Sequence, residues 1–274
     1  MINSLIYPAL SLGGLGLFFG LLLGFSARKF AVQVDPRIAR IKDALPGGNC
    51  GGCGYAGCDA YASAVVSGQA APNKCTAGGA ETAEKIAAIL GVDAGSFVQK
   101  VAFVKCAGSR AKAKEISLYE GVLDCRKATV VPGGGTKACK NGCLGFGSCV
   151  TACAFDAISV EDGVAIVDES LCTGCGACVA ACPRDVITLI PADQAMRVLC
   201  NSTKKGAGVK NICAVGCIGC GLCAKLCPSQ AITMKDNLPV INPDLCTRCK
   251  ICAMKCPARA IVIVEDEKEK QLAG

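Results

Sequence analysis

Histidine and tryptophan are absent from the 274 residues, and only 8 Phe and 4 Tyr supply aromatic rings. Without imidazole the chain cannot build a Rieske centre, a mixed cysteine–histidine zinc finger or a His-ligated haem, and it lacks the commonest general base. Large aromatic side chains normally supply much of the buried area of a core, so small domains here need another source of stability. No G-x-x-x-x-G-K-[ST] loop occurs, and the glycine-rich stretch Gly13 to Gly16 follows no strand, so no nucleotide-binding motif is present. Paired carboxylates and nucleophile–base arrangements are missing too, which leaves no substrate-converting site beyond whatever the cysteines hold. Met1 to Ala27 carry no charged side chain.

That uncharged stretch, almost wholly apolar from Leu5 to Phe25, is long enough to cross a bilayer, which takes about 20 residues. A secretory signal would begin with a basic region, and none precedes the apolar run. Residues 1–27 are therefore read as an uncleaved transmembrane anchor and 28–45 as a basic juxtamembrane linker with a short helix from Pro36 to Leu45. Arg28, Lys29, Arg37, Arg40 and Lys42 follow the anchor, so the positive-inside rule puts the rest on the cytoplasmic side of the cell (inner) membrane. Gly16, Gly20 and Gly24 would line one face of the anchor, a pattern that admits a second membrane helix but also occurs because glycine is frequent in such helices.

What the chain has in excess is cysteine, 24 residues, in runs with short repeated gaps. A reducing compartment and such gaps point to ligands for inorganic centres rather than to disulfides. Cys50, Cys53, Cys58 and Cys75 form the first group, in GGNCGGCGYAGCDAYA; glycines there let the backbone wrap an iron–sulfur cluster, with a four-thiolate zinc site as the alternative. Glu81 to Leu90 reads as a helix with Ile86, Ile89 and Leu90 on one face.

Three later runs have the spacing C-x2-C-x2-C-x3-C-P: Cys172, Cys175, Cys178, Cys182; Cys217, Cys220, Cys223, Cys227; and Cys246, Cys249, Cys252, Cys256. In this bacterial ferredoxin pattern three thiolates hold one [4Fe–4S] cluster and the fourth ligates its neighbour. A fourth run, Cys139, Cys143, Cys149 and Cys153, aligns with Cys213, Cys217, Cys223 and Cys227. Phe146 then stands where Cys220 does, and Ala154 where proline is expected. The alignment is an internal repeat.

Read this way the chain is α+β: the anchor, a small N-terminal Fe–S domain (46–100), a connecting segment (101–135), ferredoxin-like module 1 (136–191), a connector (192–207), ferredoxin-like module 2 (208–265) and a charged tail (266–274), with Glu265 to Lys270 as a solvated charge run. Asp162-Gly163 is a type I′ hairpin signal, and ITLI, ITM and AIVIV read as short strands after the fourth cysteine of their runs. Gly133 to Gly135 reads as a hinge that would let the N-terminal cluster region swing.

Crossed ligation then predicts Cys139, Cys143, Cys149 with Cys182; Cys172, Cys175, Cys178 with Cys153; Cys217, Cys220, Cys223 with Cys256; and Cys246, Cys249, Cys252 with Cys227. With the N-terminal four this makes five [4Fe–4S] clusters. Cys106, Cys125, Cys200 and Cys213 are left over, as packed thiols, a zinc site or a sixth cluster; Cys106 and Cys200 look like equivalent positions of the repeat that need not meet. The formal charge of +7 does not argue for nucleic acid. Five clusters at about −2 each bring the loaded chain to about −3, and no aromatic residues interleave with basic ones to stack bases.

The apolar N-terminal helix, GGNCGGCGYAGC with Cys75, KCAG, YEGVLDC and KACKNGCLGFGSC together resemble the B subunit of the Rnf complex over almost the whole chain. The resemblance implies the electron-input subunit of a membrane-bound, ion-translocating ferredoxin:NAD oxidoreductase, moving Na+ or H+. It implies reduced ferredoxin and other Rnf-type membrane and flavin/NAD subunits as partners in a hetero-oligomer, the flavin and nucleotide residing in those subunits. Short members of the family have one ferredoxin module, so two make this a long variant. Two other readings stay open, a membrane-anchored electron-transfer module serving another reductase or a redox-sensor reducing system, and a zinc-stabilised scaffold.

Overall fold

The structure is a computed structural model that describes residues 2–30 and 35–264; the charged tail lies outside the described residues. Helix α1 (Ile2–Lys29) is uninterrupted and ends on Arg28 and Lys29. Its segment Leu12–Lys29 is long and apolar enough to cross a membrane, and none of that segment is covered by the rest of the chain. A helix packed on a soluble core would bury one stripe. Here Leu21, Leu22 and Leu23, successive residues that point to different sides of the helix, are all exposed.

Helices α2 (Pro36–Ala44), α3 (Cys58–Val66) and α4 (Gly79–Leu90) form the N-terminal domain. Asp35 caps α2 by accepting from the Arg37 N–H at 2.8 Å, and Pro36 occupies a first-turn position where no amide hydrogen is needed. Ile41 from α2, Tyr61 and Val65 from α3 and Ile86 from α4 meet in one buried core, so the helix expected at 81–90 packs through the face its periodicity marked.

The rest is two copies of one plan. Module 1 pairs β1 (Lys100–Val104) antiparallel with β4 (Ile187–Pro191), and β2 (Ile158–Glu161) with β3 (Val164–Val167). Module 2 repeats this with β5 (Met196–Val198) on β8 (Ile261–Ile263) and β6 (Ile232–Lys235) on β7 (Leu238–Ile241). The strands read from ITLI, ITM and AIVIV are β4, β6 and β8. Strands β1 and β5 come from the segments assigned to connections, and their register is set by partners almost a whole module away in sequence. Between them α5 (Cys125–Val130) and α8 (Ala207–Lys210) precede the cysteine runs. Asp162 and Gly163 both have positive φ, 44° and 74°, between Glu161 and Val164, as a type I′ hairpin requires.

Each run of cysteines builds the same local device. One-turn helices α6 (Ser148–Thr151), α7 (Ala177–Ala181), α9 (Leu222–Lys225) and α10 (Ile251–Met254) each follow a left-handed residue, Gly147, Gly176, Gly221 or Lys250. They bury the third cysteine of the run, Cys149, Cys178, Cys223 or Cys252. Three residues after the fourth cysteine the chain turns left-handed again, at Asp156, Asp185, Gln230 and Arg259, with φ between 49° and 51°. The apolar cores are correspondingly small: Ile158, Val164, Val186 and Ile187 pack around Cys149 and Cys178 in module 1, and Met196, Ile232 and Ile261 around Cys223 and Cys252 in module 2.

The glycine run at 133–135 is pinned to module 1. Lys140 donates to the Gly133 carbonyl and Arg184 to that of Gly134, while a Cβ on Gly135 would collide with Leu144. These contacts oppose the free hinge that the sequence alone predicts.

Candidate metal centres

Four cavities are walled by cysteines, and each brings four together. In the N-terminal domain Cys50, Cys53, Cys58 and Cys75 surround one cavity with Asn49, Tyr61 and Thr76. Cys58 opens α3, and its N–H donates to Asn49 Oδ1 at 2.9 Å, which fixes the loop carrying the first two thiols. Tyr61 anchors the return strand by donating to the carbonyls of Ala71 and Pro72, both at 2.9 Å. In module 2 a cavity is lined by Cys217, Cys220, Cys223 and Cys256, the crossed set predicted from spacing.

The corresponding cavity of module 1 gathers a set other than the expected one. Its thiols are Cys125, Cys143, Cys149 and Cys182, and Cys139 is not among them. The reason lies at Phe146, whose ring packs on Tyr119 with centroids 4.8 Å apart. Tyr119 draws the upstream segment onto the loop, and the Cys125 N–H donates to Ser148 Oγ at 2.7 Å while Ser148 Oγ donates to Asp124 Oδ2 at 3.1 Å. Asp124 also caps α5 by accepting from the Lys127 N–H at 2.8 Å. The thiol missing at Phe146 is thus replaced by one arriving from upstream in the chain. An aspartate before the cysteine, marking a helix start, was the available signal.

Cys139 turns instead into a fourth cavity, with Cys106, Cys200 and Cys213. Three of the four leftover thiols therefore converge, and the fourth, Cys125, belongs to the module 1 set. Cys106 and Cys200, equivalent positions that need not have met, line the same cavity. The four recesses are of similar size, about 400, 340, 390 and 340 Å³ with their openings to solvent included, in the order inter-module, module 2, module 1 and N-terminal.

Two further sets are read from neighbouring charges and packing. Burial pushes the Cys178 thiol up to about 11, and thiolates at Cys172, Cys175 and Cys153 push it the same way. Burial also raises Cys252, with Cys246 and Cys249 adding to it, and Cys227 packs into the same apolar cluster. Cys149 is pushed up to about 12 by burial and then by Cys143, Cys125 and Cys182. Buried thiols held this high are protonated at neutral pH until a cation displaces the proton, so metal loading and deprotonation are one event.

The donor geometry fits polynuclear clusters. Among the described residues no three His, Cys, Asp or Glu side chains gather closely enough to share one metal ion. The thiols line recesses instead, an arrangement that a cubane's four ligands can occupy. Thr76 carries a buried hydroxyl without a protein partner, on the wall of the N-terminal cavity. Such an orphan fits an acceptor inside the site, and cluster sulfur is one. Backbone N–H groups already reach ligand sulfurs, Ala102 to Cys172 Sγ at 3.3 Å and Ala260 to Cys256 Sγ at 3.4 Å.

The sites also adjoin one another. A Cβ on Gly52 would lie 2.8 Å from both Cα and O of Cys175, so the N-terminal loop rests directly on the module 1 run. Arg184, partly buried between the module 1 cavity and the inter-module one, donates to the carbonyls of Cys139 at 2.7 Å and Gly142 at 3.1 Å. Burial lowers its pKa against the opposing pull of Cys139, Cys143, Cys125 and Cys182.

Three family models match the chain. One described as "Putative Fe-S cluster" covers residues 45–77, a 4Fe-4S binding domain covers 165–188, and a 4Fe-4S dicluster domain covers 216–260. The inter-module thiols Cys106, Cys139, Cys200 and Cys213 lie outside all three. Among curated proteins, the B subunit of the Na(+)-translocating ferredoxin:NAD(+) oxidoreductase complex of Acetobacterium woodii is 45% identical, over 90% of this chain and 74% of its own length. The B subunit of the proton-translocating ferredoxin:NAD(+) oxidoreductase complex of Clostridium ljungdahlii is 45% identical over 89% and 86%, respectively. The B subunit of the ion-translocating oxidoreductase complex of Methanosarcina acetivorans is 42% identical over 90% and 94%.

Proposed function

This chain belongs to the family of B subunits of Rnf-type ion-translocating oxidoreductase complexes, and from that premise we propose that it takes electrons from reduced ferredoxin and passes them to the membrane part of such a complex. The observation that carries the reading is the contiguity of the cysteine sets, from module 2 through module 1 to the N-terminal loop, which rests on Cys175 and belongs to the domain that follows α1 in the chain. The route ends in the domain next to the membrane helix in sequence. The basic residues after α1 support a single-pass anchor with the bulk on the cytoplasmic side.

A [4Fe–4S] centre bound at each set would supply one-electron redox chemistry without bond making or proton transfer. The protein's part is to hold and tune. Cys50, Cys53, Cys58 and Cys75 would hold one centre; Cys125, Cys143, Cys149 and Cys182 the next; Cys172, Cys175, Cys178 and Cys153 a third. Cys217, Cys220, Cys223 with Cys256, and Cys246, Cys249, Cys252 with Cys227, complete five. The Ala102 and Ala260 amides donate to ligand sulfur and so favour the more negative, reduced state. Arg184 offsets charge between two sites and, being always protonated, does so without coupling the transfer to pH. Nucleotide, flavin and the Na+ or H+ step belong to partner subunits in this reading.

The test is purification of the tagged chain from membranes in mild detergent, under anaerobic conditions. Co-purification of flavin- and NAD-binding subunits, with NAD reduced at the expense of added reduced ferredoxin, is the expected result. A complex with a different reductase, or one that leaves NAD oxidised, would overturn the assignment.

A further inference from the structure

We infer that Cys106, Cys139, Cys200 and Cys213 ligate a sixth [4Fe–4S] cluster, placed on the seam where the two ferredoxin modules meet and joining them electrically. The inference rests on the reading that the other cysteine sets hold such clusters, and adds to it a site that spans the repeat.

Equivalent residues of the two modules build the site. Cys106 follows β1 and Cys200 follows β5; the strand tails are joined by the Ala107 N–H donating to the Leu199 carbonyl at 3.3 Å. Cys139 and Cys213 are the aligned first cysteines of the two repeats. The segment Lys112 to Ile116 runs between them and bonds to both: Lys114 N–H to Ile212 O at 2.9 Å, Ala214 N–H to Lys112 O at 2.9 Å, Ala138 N–H to Lys114 O at 2.8 Å and Ile116 N–H to Thr136 O at 2.8 Å. The four thiols are therefore set by two separate backbone joints, one for each equivalent pair.

The walls leave room for an inorganic core. A Cβ added at Gly142 would lie 3.3 Å from Cys139 Sγ and 3.7 Å from Cys106 Sγ, and one at Gly108 3.4 Å from Cys213 Sγ and 3.6 Å from Cys106 Sγ. Small residues at these places let backbone approach the thiols closely. The space is as large as in the other three cysteine-lined cavities.

An independent sign is Lys137, which lines this cavity and is 1% exposed. Its Nζ donates to Gly108 O at 2.7 Å and Gly163 O at 2.6 Å, and the nearest interacting carboxylate, the exposed Asp162, feels its charge without forming a direct ion pair. A buried ammonium needs compensating negative charge. Four thiolates on a 2+ core carry about −2, which supplies it.

Contacts on either side place the site between its neighbours. The Cys143 N–H donates to Cys106 Sγ at 3.4 Å, so one ligand touches the module 1 set. On the other side, Cys200 packs in one buried cluster with Cys217 of the module 2 set. Transfer across the seam is of single electrons, the donor site oxidised by one as the acceptor site is reduced by one, with no proton or bond moved.

The test uses the anaerobically purified full-length chain and the double variant Cys106→Ala/Cys213→Ala. Iron and acid-labile sulfide of about 24 each per wild-type chain, falling by about four each in the variant, is the expected result, since each cubane holds four of both. The highest-mass species in a native mass spectrum of the wild-type chain decides the count even where the variant fails to fold. Six cubane increments support the site; five, with or without a zinc ion, overturn it while leaving the electron-transfer reading standing. Absence of sulfide altogether would sink both.

Discussion

Module 1 and module 2 share strands, turns and one-turn helices, yet their cysteine-lined cavities gather different thiols. Module 2 draws a set from its own two runs, Cys217, Cys220, Cys223 and Cys256. Module 1, with Phe146 at the central place, draws Cys125 from upstream of its first run. The fold specifies a point in space for the thiol, and the chain meets it by whichever segment can be packed there. The aromatic contact between Tyr119 and Phe146 shows how losing a ligand and gaining its substitute are one packing event.

The sharpest way to break this comparison is at Cys125. Cys125→Ala should remove about four iron and four sulfide from the chain, the content of one cubane. Adding Phe146→Cys to that variant should restore them by giving module 1 the ligand position of module 2. Iron and sulfide analysis of the two variants reads the effect. Full iron content in Cys125→Ala would show that Cys125 is not a ligand.

A second contrast lies in the loops after the first ligands. Gly145, φ 75°, packs against the Gly163 backbone so closely that a Cβ would collide with it, whereas the equivalent Gly219, φ 65°, would meet Asn237 O at 3.0 Å. Gly145→Ala should therefore destabilise module 1 by roughly 3 kcal/mol, from overpacking added to left-handed strain. Gly219→Ala should cost about 1–2 kcal/mol, mostly strain. Rates of visible bleaching in guanidinium compare the two. Equal rates would contradict the difference in packing.

Gly174 and Arg248 extend the contrast, since the structure has φ 67° and 54° at these equivalent places. Module 1 needs glycine there because a Cβ would collide with the Lys100 carbonyl. Gly174→Ala should lower the melting temperature measured by loss of cluster absorbance, by roughly 2–4 °C for each kcal/mol lost. The smallest effect is expected at Lys250, φ 63°, where Gly176 stands in module 1 and Gly221 in the preceding run. Lys250→Gly should change stability by less than about 1 kcal/mol, relief of strain being offset by glycine's backbone entropy and by loss of the lysine side chain's interactions, as the same bleaching rates would show.

Much of this was legible in the residues. Spacing marked the three complete runs, the Asp162-Gly163 turn and strands β4, β6 and β8, because each depends on neighbours in sequence. The length and lack of charge of α1 were equally plain. The pairing of β1 with β4 and of β5 with β8 was hidden, since short strands without strong alternation acquire register only from distant partners. For the same reason spacing alone groups Cys139 with Cys143, although the backbone ladder through Lys114 directs it to the seam. Cys125 carried no spacing signal at all, only the Asp124 cap before it.

The central claim is that the cysteine sets hold one-electron centres rather than structural metal. A stoichiometric reductive titration of the anaerobically purified full-length chain, with iron, sulfide and zinc measured on the same sample, tests it directly. The account predicts a brown protein that bleaches on reduction and takes up one electron for about every four iron and four sulfide. A colourless protein containing zinc and no sulfide, taking up no electrons, would contradict it.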